Sequence, residues 1–454
     1  MTLKIQLINP PMTDCFSKCT RSGCFPPLDL LSIASYVQDR HPEFNVEILD
    51  GEMLSLKDII DSLDAEVVGV SPKVFSHETA LTIAQVASAS GSRVIFGGAW
   101  ASAIPRYLLQ KNSNIEAVCI GDGEEALLSF AIGKRLSVIP NITYRDGQSI
   151  ITNNCHQSSL DSLPIVDYSL VNVEEYMANY RTTFVDHPFS RPLPFYSHKG
   201  CFWHDVSGGC IFCRSQPLKS IQRSPKQFWR DVRLMIDQYK TDLIWDVSDT
   251  FTAPRRWIIE IFQTKPEDLN CHFYIYGRAS DLDDSIVAML SNIGCFEILV
   301  GVESGSDYLL NKANKGITCS GVLKAVRLCS QYGIQIFPTF LLGLPGENRH
   351  SLDDTLALAR KIIACGNVKE ISSALLLPLP GSQIFSLLRR SPEFSSTFIT
   401  DSDIFNFANL QEFYVRNFTQ VTIKDLQHTQ DEIQSLIKPE YRSSFGCINY
   451  FDCR

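Results

Sequence analysis

The feature that most constrains the fold is a repeated alternation of short apolar runs with helical stretches, which starts at residue 3. The first apolar runs are LKIQLIN, NVEILDG, EVVGVS and RVIFGG, and helical segments such as HETALTIAQVASAS separate them. Continuous apolar strands joined by helices predict a parallel sheet that is covered on both faces. Residues 1–135 are therefore predicted to form a doubly wound, Rossmann-like α/β domain, with a ligand crevice beyond the carboxyl ends of its strands.

A second alternating series follows a segment of different character. Residues 136–194 are predicted to form a hairpin with an Asp-Gly turn, in NITYRDGQSIITN, and then a Pro- and Ser-rich linker. A strand before Cys201 and the runs DLIWDVSDT, HFYIYGRAS, FEILVGVES, IQIFPTFLLGLPGE and KEISSALLLPLPG then make six βα units. Residues 195–385 are predicted to form a partial (β/α)6 barrel with its chemistry at the strand carboxyl ends, and residues 386–454 a mostly helical C-terminal region.

Composition argues against some classes of partner. The 454-residue chain has a formal net charge of -9, and an acidic protein does not attract the phosphate backbone of a nucleic acid. No apolar run reaches the ~18 residues of a membrane-spanning helix, and the N-terminal MTLKIQLINPP lacks the blocks of a signal peptide. We therefore expect no nucleic-acid partner, no membrane partner and a cytoplasmic location.

Three of the 15 cysteines lie close together in the stretch GCFWHDVSGGCIFC, at Cys201, Cys210 and Cys213. Clustered cysteines in a large chain indicate a metal site, and three thiolates suit either zinc or an iron–sulfur cluster. A zinc site needs a fourth ligand, for which His198 and His204 lie nearby. The position at the mouth of the first barrel strand favours an iron–sulfur cluster, in which three cysteines leave one iron open to another ligand.

Motifs along most of the chain carry a family resemblance. The cysteine stretch, VSDTF, GRASDLDD, ILVGVESGSDYLLNKANKGIT, FLLGLPGE and LLLPLPGS, in this order, resemble the radical S-adenosylmethionine (SAM) superfamily. The N-terminal INPP, PPLDLLSIASYV, VVGVS, VIFGGAWASAIPRYLL and IGDGEEA resemble its cobalamin-binding subclass. The resemblance runs from residue 3 to about 385, and it implies a 4Fe-4S cluster, SAM and cobalamin as cofactors.

The resemblance implies a role for the cysteines and for residues at the barrel strand ends. Cys201, Cys210 and Cys213 hold a cluster whose open iron binds the amino and carboxylate groups of SAM. An electron from the cluster cleaves SAM to a 5′-deoxyadenosyl radical, which abstracts hydrogen from an unactivated carbon. The implied SAM contacts are Phe212, Ser248, Asp249, Arg278, Glu303, Ser304 and Leu342. Local alternatives are a helix cap for Asp249 and an ion pair between Arg278 and Glu303.

The strand ends of the first domain carry the predicted cobalamin contacts. These are Asn9, Pro10, Ser71, Pro72, Gly97, Gly98, Trp100, Gly121, Gly123 and Glu124. Glycine at a strand end lets the backbone approach a bulky ligand, although ordinary strand-to-helix turns also use it. The chain lacks the D-x-H-x-x-G signature of a histidine below cobalt, and His77 is expected to begin a helix. A cobalt without that histidine should release a methyl group more readily.

The spacing of the cysteines bears on the substrate. Eight residues separate Cys201 from Cys210, whereas the commonest superfamily spacing is C-x3-C-x2-C. The longer gap resembles a branch that modifies ribosomally made peptides. The expected function is cobalamin-dependent radical methyl transfer to an unactivated carbon of a natural-product or peptide substrate, with no catalytic acid or base assigned. An electron donor such as flavodoxin or ferredoxin is the other expected partner.

Other functions stay open at this point. The same cofactors serve rearrangement or cyclisation without methylation, and a non-catalytic corrinoid carrier with a structural zinc site is a more distant alternative. The acidic charge argues against a methylthiotransferase that acts on tRNA. Two smaller cysteine sets, Cys15, Cys19 and Cys24 near the N-terminus and Cys447 and Cys453 near the C-terminus, are expected to be core or surface thiols instead of ligands of a second cluster.

Overall fold

A computed structural model describes residues 2–12, 23–214, 218–397 and 406–437. The chain divides into two compact units, Met1–Pro194 and Phe195–Arg454. Among the helices within the described ranges, none has both the length and the apolar composition of a membrane-spanning segment.

The first unit is built on a seven-stranded sheet. Its strands are β1 (Lys4–Asn9), β2 (Asn45–Asp50), β3 (Val67–Val70), β4 (Arg93–Phe96), β5 (Ala117–Cys119), β6 (Ile142–Asp146) and β7 (Ser149–Thr152). The spatial order is β2-β1-β3-β4-β5-β6-β7, and β1 to β5 pair in parallel. The strand order reverses between β1 and β3, which is where such sheets open a ligand crevice. The predicted Rossmann-like domain is confirmed.

Helices cover this sheet, and one of them lies where the sequence predicts a linker. The helices are α1 (Leu28–Arg40), α2 (Leu56–Asp61), α3 (His77–Ala89), α4 (Gly98–Ala103), α5 (Pro105–Lys111), α6 (Glu124–Ala131) and α7 (Val173–Thr183). The helical stretch after β4 is divided into α4 and α5 at Pro105, because proline is accepted at a helix start and not inside one. Helix α7 was predicted as linker, yet it buries Tyr176, Met177 and Tyr180 at helical spacing.

The predicted hairpin extends the first sheet. Strand β6 pairs antiparallel with β5 and with β7, so the hairpin is continuous with the parallel strands that precede it. The boundary between the two units falls at 194/195, whereas the predicted boundaries at 135 and 385 stay predictions.

The second unit is a six-stranded parallel half-barrel. Its strands, in the spatial order β15-β14-β13-β12-β11-β8, are β8 (Pro192–Phe195), β11 (Leu243–Asp246), β12 (Phe273–Gly277), β13 (Cys295–Glu303), β14 (Gln335–Leu342) and β15 (Ser372–Leu375). The short strands β9 (His198–Lys199) and β10 (Ile221–Gln222) form a separate antiparallel pair. The partial barrel predicted from six βα units is confirmed.

Helices cover the half-barrel and extend into the C-terminal region. They are α8 (Phe202–Ser207), α9 (Pro225–Tyr239), α10 (Arg255–Gln263), α11 (Asp284–Ile293), α12 (Asp307–Lys312), α13 (Cys319–Gln331), α14 (Arg349–Cys365), α15 (Gln383–Leu388), α16 (Pro392–Thr397), α17 (Phe407–Phe418) and α18 (Ile423–Ser435). The C-terminal helices cover the β15 end: Gln430 Nε2 donates to the Ser373 carbonyl over 2.7 Å, and Tyr414 Oη donates to the Gly343 carbonyl over 2.9 Å. They thereby protect an edge strand that would otherwise be open to pairing.

A fully buried ion pair fixes α9 beside the half-barrel. Arg223 Nη1 lies 2.9 Å from Asp231 Oδ2, and both side chains are 0% exposed. Gln227 Nε2 also donates to Asp231 over 2.8 Å. Removing one partner of a buried pair leaves the other charge uncompensated, which costs far more than breaking an exposed pair.

We therefore expect Asp231→Ala to lower the free energy of unfolding by about 3–5 kcal/mol. Asp268→Ala is the matched control, because Asp268 pairs with Arg233 on the surface, where such a pair contributes about 0–1 kcal/mol. Urea denaturation followed by tryptophan fluorescence measures both. Equal losses in the two variants would contradict the energetic role of the buried pair.

Candidate functional site

The three clustered cysteines lie on one loop at the carboxyl end of the half-barrel. We call residues 201–213 the cluster loop. Cys201 is the N-cap residue of α8, and Gly208 ends this helix with a left-handed φ of 80°. The chain then turns so that the Cys213 N–H donates to the Cys210 carbonyl over 3.1 Å. A turn of this kind needs a residue that accepts positive φ, which glycine does without steric cost.

The electrostatic environment of the loop favours the thiolate of Cys210 and the thiol of Cys213, because the hydrogen bond with Cys210 and burial raise the pKa of Cys213. The hydrogen bond with the Cys213 thiol and the positive charges of Lys315 and Arg278 lower the pKa of the Cys210 thiol to about 6. Within the described ranges, no three His, Cys, Asp or Glu side chains are arranged to hold a metal ion. The donor set nevertheless fits an iron–sulfur cluster, because three thiols on one loop beside cations are of the type that binds iron as thiolates.

The two histidines near the loop have packing roles. Burial lowers the pKa of the His198 imidazole to about 3, and its ring centroid lies 4.3 Å from that of Trp257. The His204 ring packs on Gly209, where a Cβ would come within 2.6 Å of the ring. Both rings therefore make packing contacts within the protein.

Arg278 and Glu303 both converge on Lys315. The Arg278 guanidinium lies 4.5 Å from the Trp203 ring and donates to the Lys315 carbonyl. Glu303, which ends β13 with a φ of 65°, accepts from Lys315 Nζ at 2.7 Å, and each of these two side chains is only 11% exposed. The partner of Glu303 is thus Lys315 and not Arg278. Sequence reasoning missed Lys315, although it lies in the quoted motif NKANKGIT.

The residues that follow β11 lie beside the cluster loop, since Thr250 Oγ1 lies 3.4 Å from Cys201 Sγ. Ser248 Oγ is buried and accepts from the backbone N–H of Ser197 at 2.9 Å and of His198 at 2.8 Å. Asp249 is exposed to solvent. It accepts from the Gly200 N–H, and the next helix has Pro254 as its N-cap residue, so Asp249 is not that helix's cap.

The remaining predicted SAM contacts differ in accessibility. The Phe212 ring lies 5.9 Å from Lys315 Nζ, within the charged group just described. Ser304 is fully buried, with its Oγ 3.4 Å from Thr355 Oγ1. Leu342 is also fully buried at the end of β14. The structure therefore brings Phe212 toward the charged group and places Ser304 and Leu342 in the protein interior.

The predicted cobalamin contacts follow β1, β3, β4 and β5 at one edge of the first sheet. Asn9 Nδ2 donates to Asp50 over 2.6 Å, and Ser71 Oγ donates to Asp29 over 2.7 Å. Asn9 ends β1 and Ser71 directly follows β3, the two strands that flank the reversal in strand order. Pro10 and Pro72 directly follow them. The strand positions therefore agree with the prediction that these residues lie at one shared edge of the sheet.

The other predicted contacts at this edge are glycines and their neighbours. Gly98 has a φ of 77°, and a Cβ there would lie 2.7 Å from Ser71 Oγ. Gly121 has a φ of 99°, and Gly97 and Gly123 are N-cap residues of α4 and α6. Trp100 is buried in α4, 5.6 Å from the His77 ring, and His77 begins α3 as predicted. Glu124 is buried and accepts from Ser32 Oγ over 2.9 Å.

The smaller cysteine sets are only partly described. Cys24 is buried, and its Sγ lies 3.4 Å from Thr183 Oγ1, which agrees with a core thiol. Cys15, Cys19, Cys447 and Cys453 lie outside the described residues.

Each of the two units matches the profile of a known protein family. The Radical SAM superfamily profile matches residues 199–359, and the B12 binding domain profile matches residues 19–131. The chain therefore carries the two domains of a cobalamin-dependent radical SAM enzyme. The two domains imply a 4Fe-4S cluster, SAM and cobalamin as cofactors of this radical SAM enzyme.

One sequence relative of this radical SAM enzyme is PH0819, an uncharacterized methyltransferase of Pyrococcus horikoshii. The two sequences are 25% identical over 401 residues, which cover 84% of this chain and 82% of PH0819. The anaerobic magnesium-protoporphyrin IX monomethyl ester cyclase of Rubrivivax gelatinosus is 21% identical over 373 residues, covering 78% of this chain and 62% of its own length. The chain thus spans less than two thirds of the cyclase.

Two solved structures share the fold of this radical SAM enzyme. The methyltransferase TsrM from Kitasatospora setae, with cobalamin and a 4Fe-4S cluster bound, has a TM-score of 0.69 at 17% identity, covering 97% of this chain and 92% of that one. The cobalamin-dependent radical enzyme OxsB, with aqua-cobalamin and SAM bound, has a TM-score of 0.65 at 18% identity, covering 92% of this chain and 58% of that one.

Lys315→Gln in the radical SAM unit is expected to raise the pKa of the Cys210 thiol, because a neighbouring positive charge that favours the thiolate is removed. The rate of Cys210 alkylation by iodoacetamide, resolved by peptide mass spectrometry in cluster-free protein, should then reach half its maximum at a higher pH. The control is Lys312→Gln, since Lys312 lies beside the exposed Tyr308 ring. An unchanged pH midpoint in Lys315→Gln would exclude this electrostatic effect.

Gly98→Ala is expected to weaken the binding of cobalamin, because the added methyl group displaces Ser71 at the crevice and strains a left-handed residue by about 1–3 kcal/mol. Optical titration with hydroxocobalamin measures the effect. Gly91→Ala is the control, since Gly91 has a φ of 94° but open space around its Cβ position. Equal affinities for the two variants would show that the Gly98 contact does not shape the crevice.

Proposed function

We propose that this enzyme transfers a methyl group to an unactivated carbon of a small-molecule or peptide substrate. The observation that carries the proposal is the extent of the match: it covers 82% of the methyltransferase PH0819 but only 62% of the cyclase. The likeness to TsrM, which extends over 92% of that methyltransferase, supports the same reading.

The cluster loop is the proposed holder of the iron–sulfur cluster. Cys201, Cys210 and Cys213 supply three thiolates, and the cations beside Cys210 favour that form. Together the bound cofactors supply a 5′-deoxyadenosyl radical and a transferable methyl group. The contribution of the protein is to orient the reactants and to keep water away from them.

The charged group at the mouth of the half-barrel suits the amino acid part of SAM. SAM carries a carboxylate and an ammonium group, and Arg278, Glu303, Lys315 and Asp249 offer both signs of charge to them. Lys315 and Glu303 are nearly buried, and charge-assisted hydrogen bonds are stronger in such surroundings than in water. Phe212 adds an apolar ring beside Lys315. Ser248, Ser304 and Leu342 act in this proposal as the buried frame beneath these contacts.

The crevice of the first unit is the proposed cobalamin site. Its contacts are Asn9, Pro10, Ser71, Pro72, Gly97, Gly98, Trp100, Gly121, Gly123 and Glu124. The glycines with left-handed φ keep this edge open for a bulky ring. A reductant such as flavodoxin or ferredoxin is the proposed electron donor.

Cyclisation or rearrangement with the same cofactors is the second candidate. The observation that favours it is the similarity to the Rubrivivax gelatinosus cyclase over 78% of this chain. The two candidates differ in what happens to SAM: methyl transfer leaves S-adenosylhomocysteine from one SAM molecule and 5′-deoxyadenosine and methionine from another, whereas cyclisation leaves no S-adenosylhomocysteine.

We expect the anaerobically reconstituted enzyme, given iron, sulfide, cobalamin, SAM and a chemical reductant, to form both S-adenosylhomocysteine and 5′-deoxyadenosine. Liquid chromatography with mass spectrometry measures both products. 5′-Deoxyadenosine alone would support cyclisation, and neither product would support a non-catalytic corrinoid carrier.

Alanine at Cys201, Cys210 or Cys213 should abolish the iron–sulfur absorbance and the formation of 5′-deoxyadenosine together. The control is Cys365→Ala, because Cys365 ends α14 away from the cluster loop in sequence and should leave both signals unchanged. Persistence of either signal in all three cluster-loop variants would remove the cluster assignment.

A further inference from the structure

We propose that two asparagines are positioning residues for the cofactor loops, Asn314 for the cluster loop and Asn141 for the glycine loop after β5. The inference rests on the proposed function, because it takes those loops as the cluster and cobalamin sites. Each asparagine has a left-handed backbone and a side-chain amide that donates to two backbone carbonyls.

Asn314 holds the middle of the cluster loop. Its Nδ2 donates to the Ser207 carbonyl over 3.0 Å and to the Gly209 carbonyl over 2.8 Å. These carbonyls lie between Cys201 and Cys210, where α8 ends and the chain turns. The amide therefore fixes the part of the loop that sets the position of one cysteine relative to the other.

The neighbours of Asn314 hold the same loop. Trp203 Nε1 donates to the Asn314 carbonyl over 2.8 Å, and the Ile211 N–H donates to the Ala313 carbonyl over 3.1 Å. The Trp203 ring lies so close to Gly316 that a Cβ there would approach it to 2.3 Å. Residues 313–316 thus contact the loop near its first residues, at Trp203, and near its last residues, at Ile211. The Asn314 side chain contacts the middle of the loop.

Asn141 has the corresponding arrangement in the first unit. Its Nδ2 donates to the Asp122 carbonyl over 3.0 Å and to the His156 carbonyl over 2.9 Å. Asp122 lies between the two glycines Gly121 and Gly123. The Asn141 carbonyl also accepts from the Ile120 N–H over 2.7 Å. Asn141 therefore holds the loop before and within its glycine pair.

Asparagine suits both positions for the same two reasons. The φ angles are 52° at Asn314 and 61° at Asn141, a region that asparagine and glycine enter more readily than other residues. The amide group carries two donors, as two carbonyls require. Aspartate keeps the shape but cannot donate when ionised, and glycine keeps the backbone but has no side chain. Both substitutions therefore remove the two hydrogen bonds at a residue that still accepts the left-handed backbone.

The experiment compares N314D, N314G, N141D and N141G in the full chain. Iron content and the electron paramagnetic resonance spectrum of the reduced cluster report on the cluster loop. Titration with hydroxocobalamin reports on the glycine loop. Both Asn314 variants should lower iron retention against a chelator by about 10- to 100-fold and shift the cluster spectrum, with cobalamin affinity unchanged. Both Asn141 variants should weaken cobalamin binding by about 10- to 100-fold, with the cluster spectrum unchanged.

The pattern of outcomes separates this inference from the proposed function. Wild-type protein that takes up neither a cluster nor cobalamin would remove both. Wild-type protein that binds both cofactors, with all four variants equal to it, would overturn the positioning roles alone. Parallel losses of both cofactors in every variant would also overturn them, because general destabilisation does not distinguish the loops. Thermal melts show whether N314D and N141D fold. If either of them does not fold, N314G and N141G still test the positioning roles.

Discussion

Parallel strands deliver the residues that follow them to a single edge of a sheet, and both units place their candidate cofactor contacts at such an edge. In the first unit, the edge carries short turns that are rich in glycine and proline. In the second, it carries the cluster loop and the charged residues after β11, β12 and β13. The same constraint thus produces two sites of different chemistry, because the strand ends carry different residues.

The charge balance at the second edge depends on one lysine. Lys315 neutralises Glu303 in a nearly buried pair, its carbonyl accepts from Arg278, and its charge helps to lower the pKa of the Cys210 thiol. Burial makes each of these interactions stronger than it would be in water and makes an unpaired charge costly. A group of mixed charges held in this way is prepared for a zwitterionic ligand before that ligand arrives.

Both loops that carry candidate cofactor contacts are also held by hydrogen bonds from other segments. The cluster loop and the glycine loop are each held by an asparagine amide from a distant part of the same unit. Rigid loops keep ligands oriented, and the supporting contacts are therefore part of the site even though they touch no cofactor.

The sequence by itself determined the two α/β series, the hairpin, the cysteine loop and the strand-end residues, because strand periodicity, turn residues and motifs are local patterns. It did not determine α7, which lies in a polar stretch, or the covering of β15 by the C-terminal helices. Nor did it reveal the pairing of Glu303 with Lys315 or the contact of Asn314 with Ser207, which lies 107 residues away. Only the tertiary structure decided these, because hydrogen bonds and ion pairs between distant segments leave no periodic trace in a single sequence.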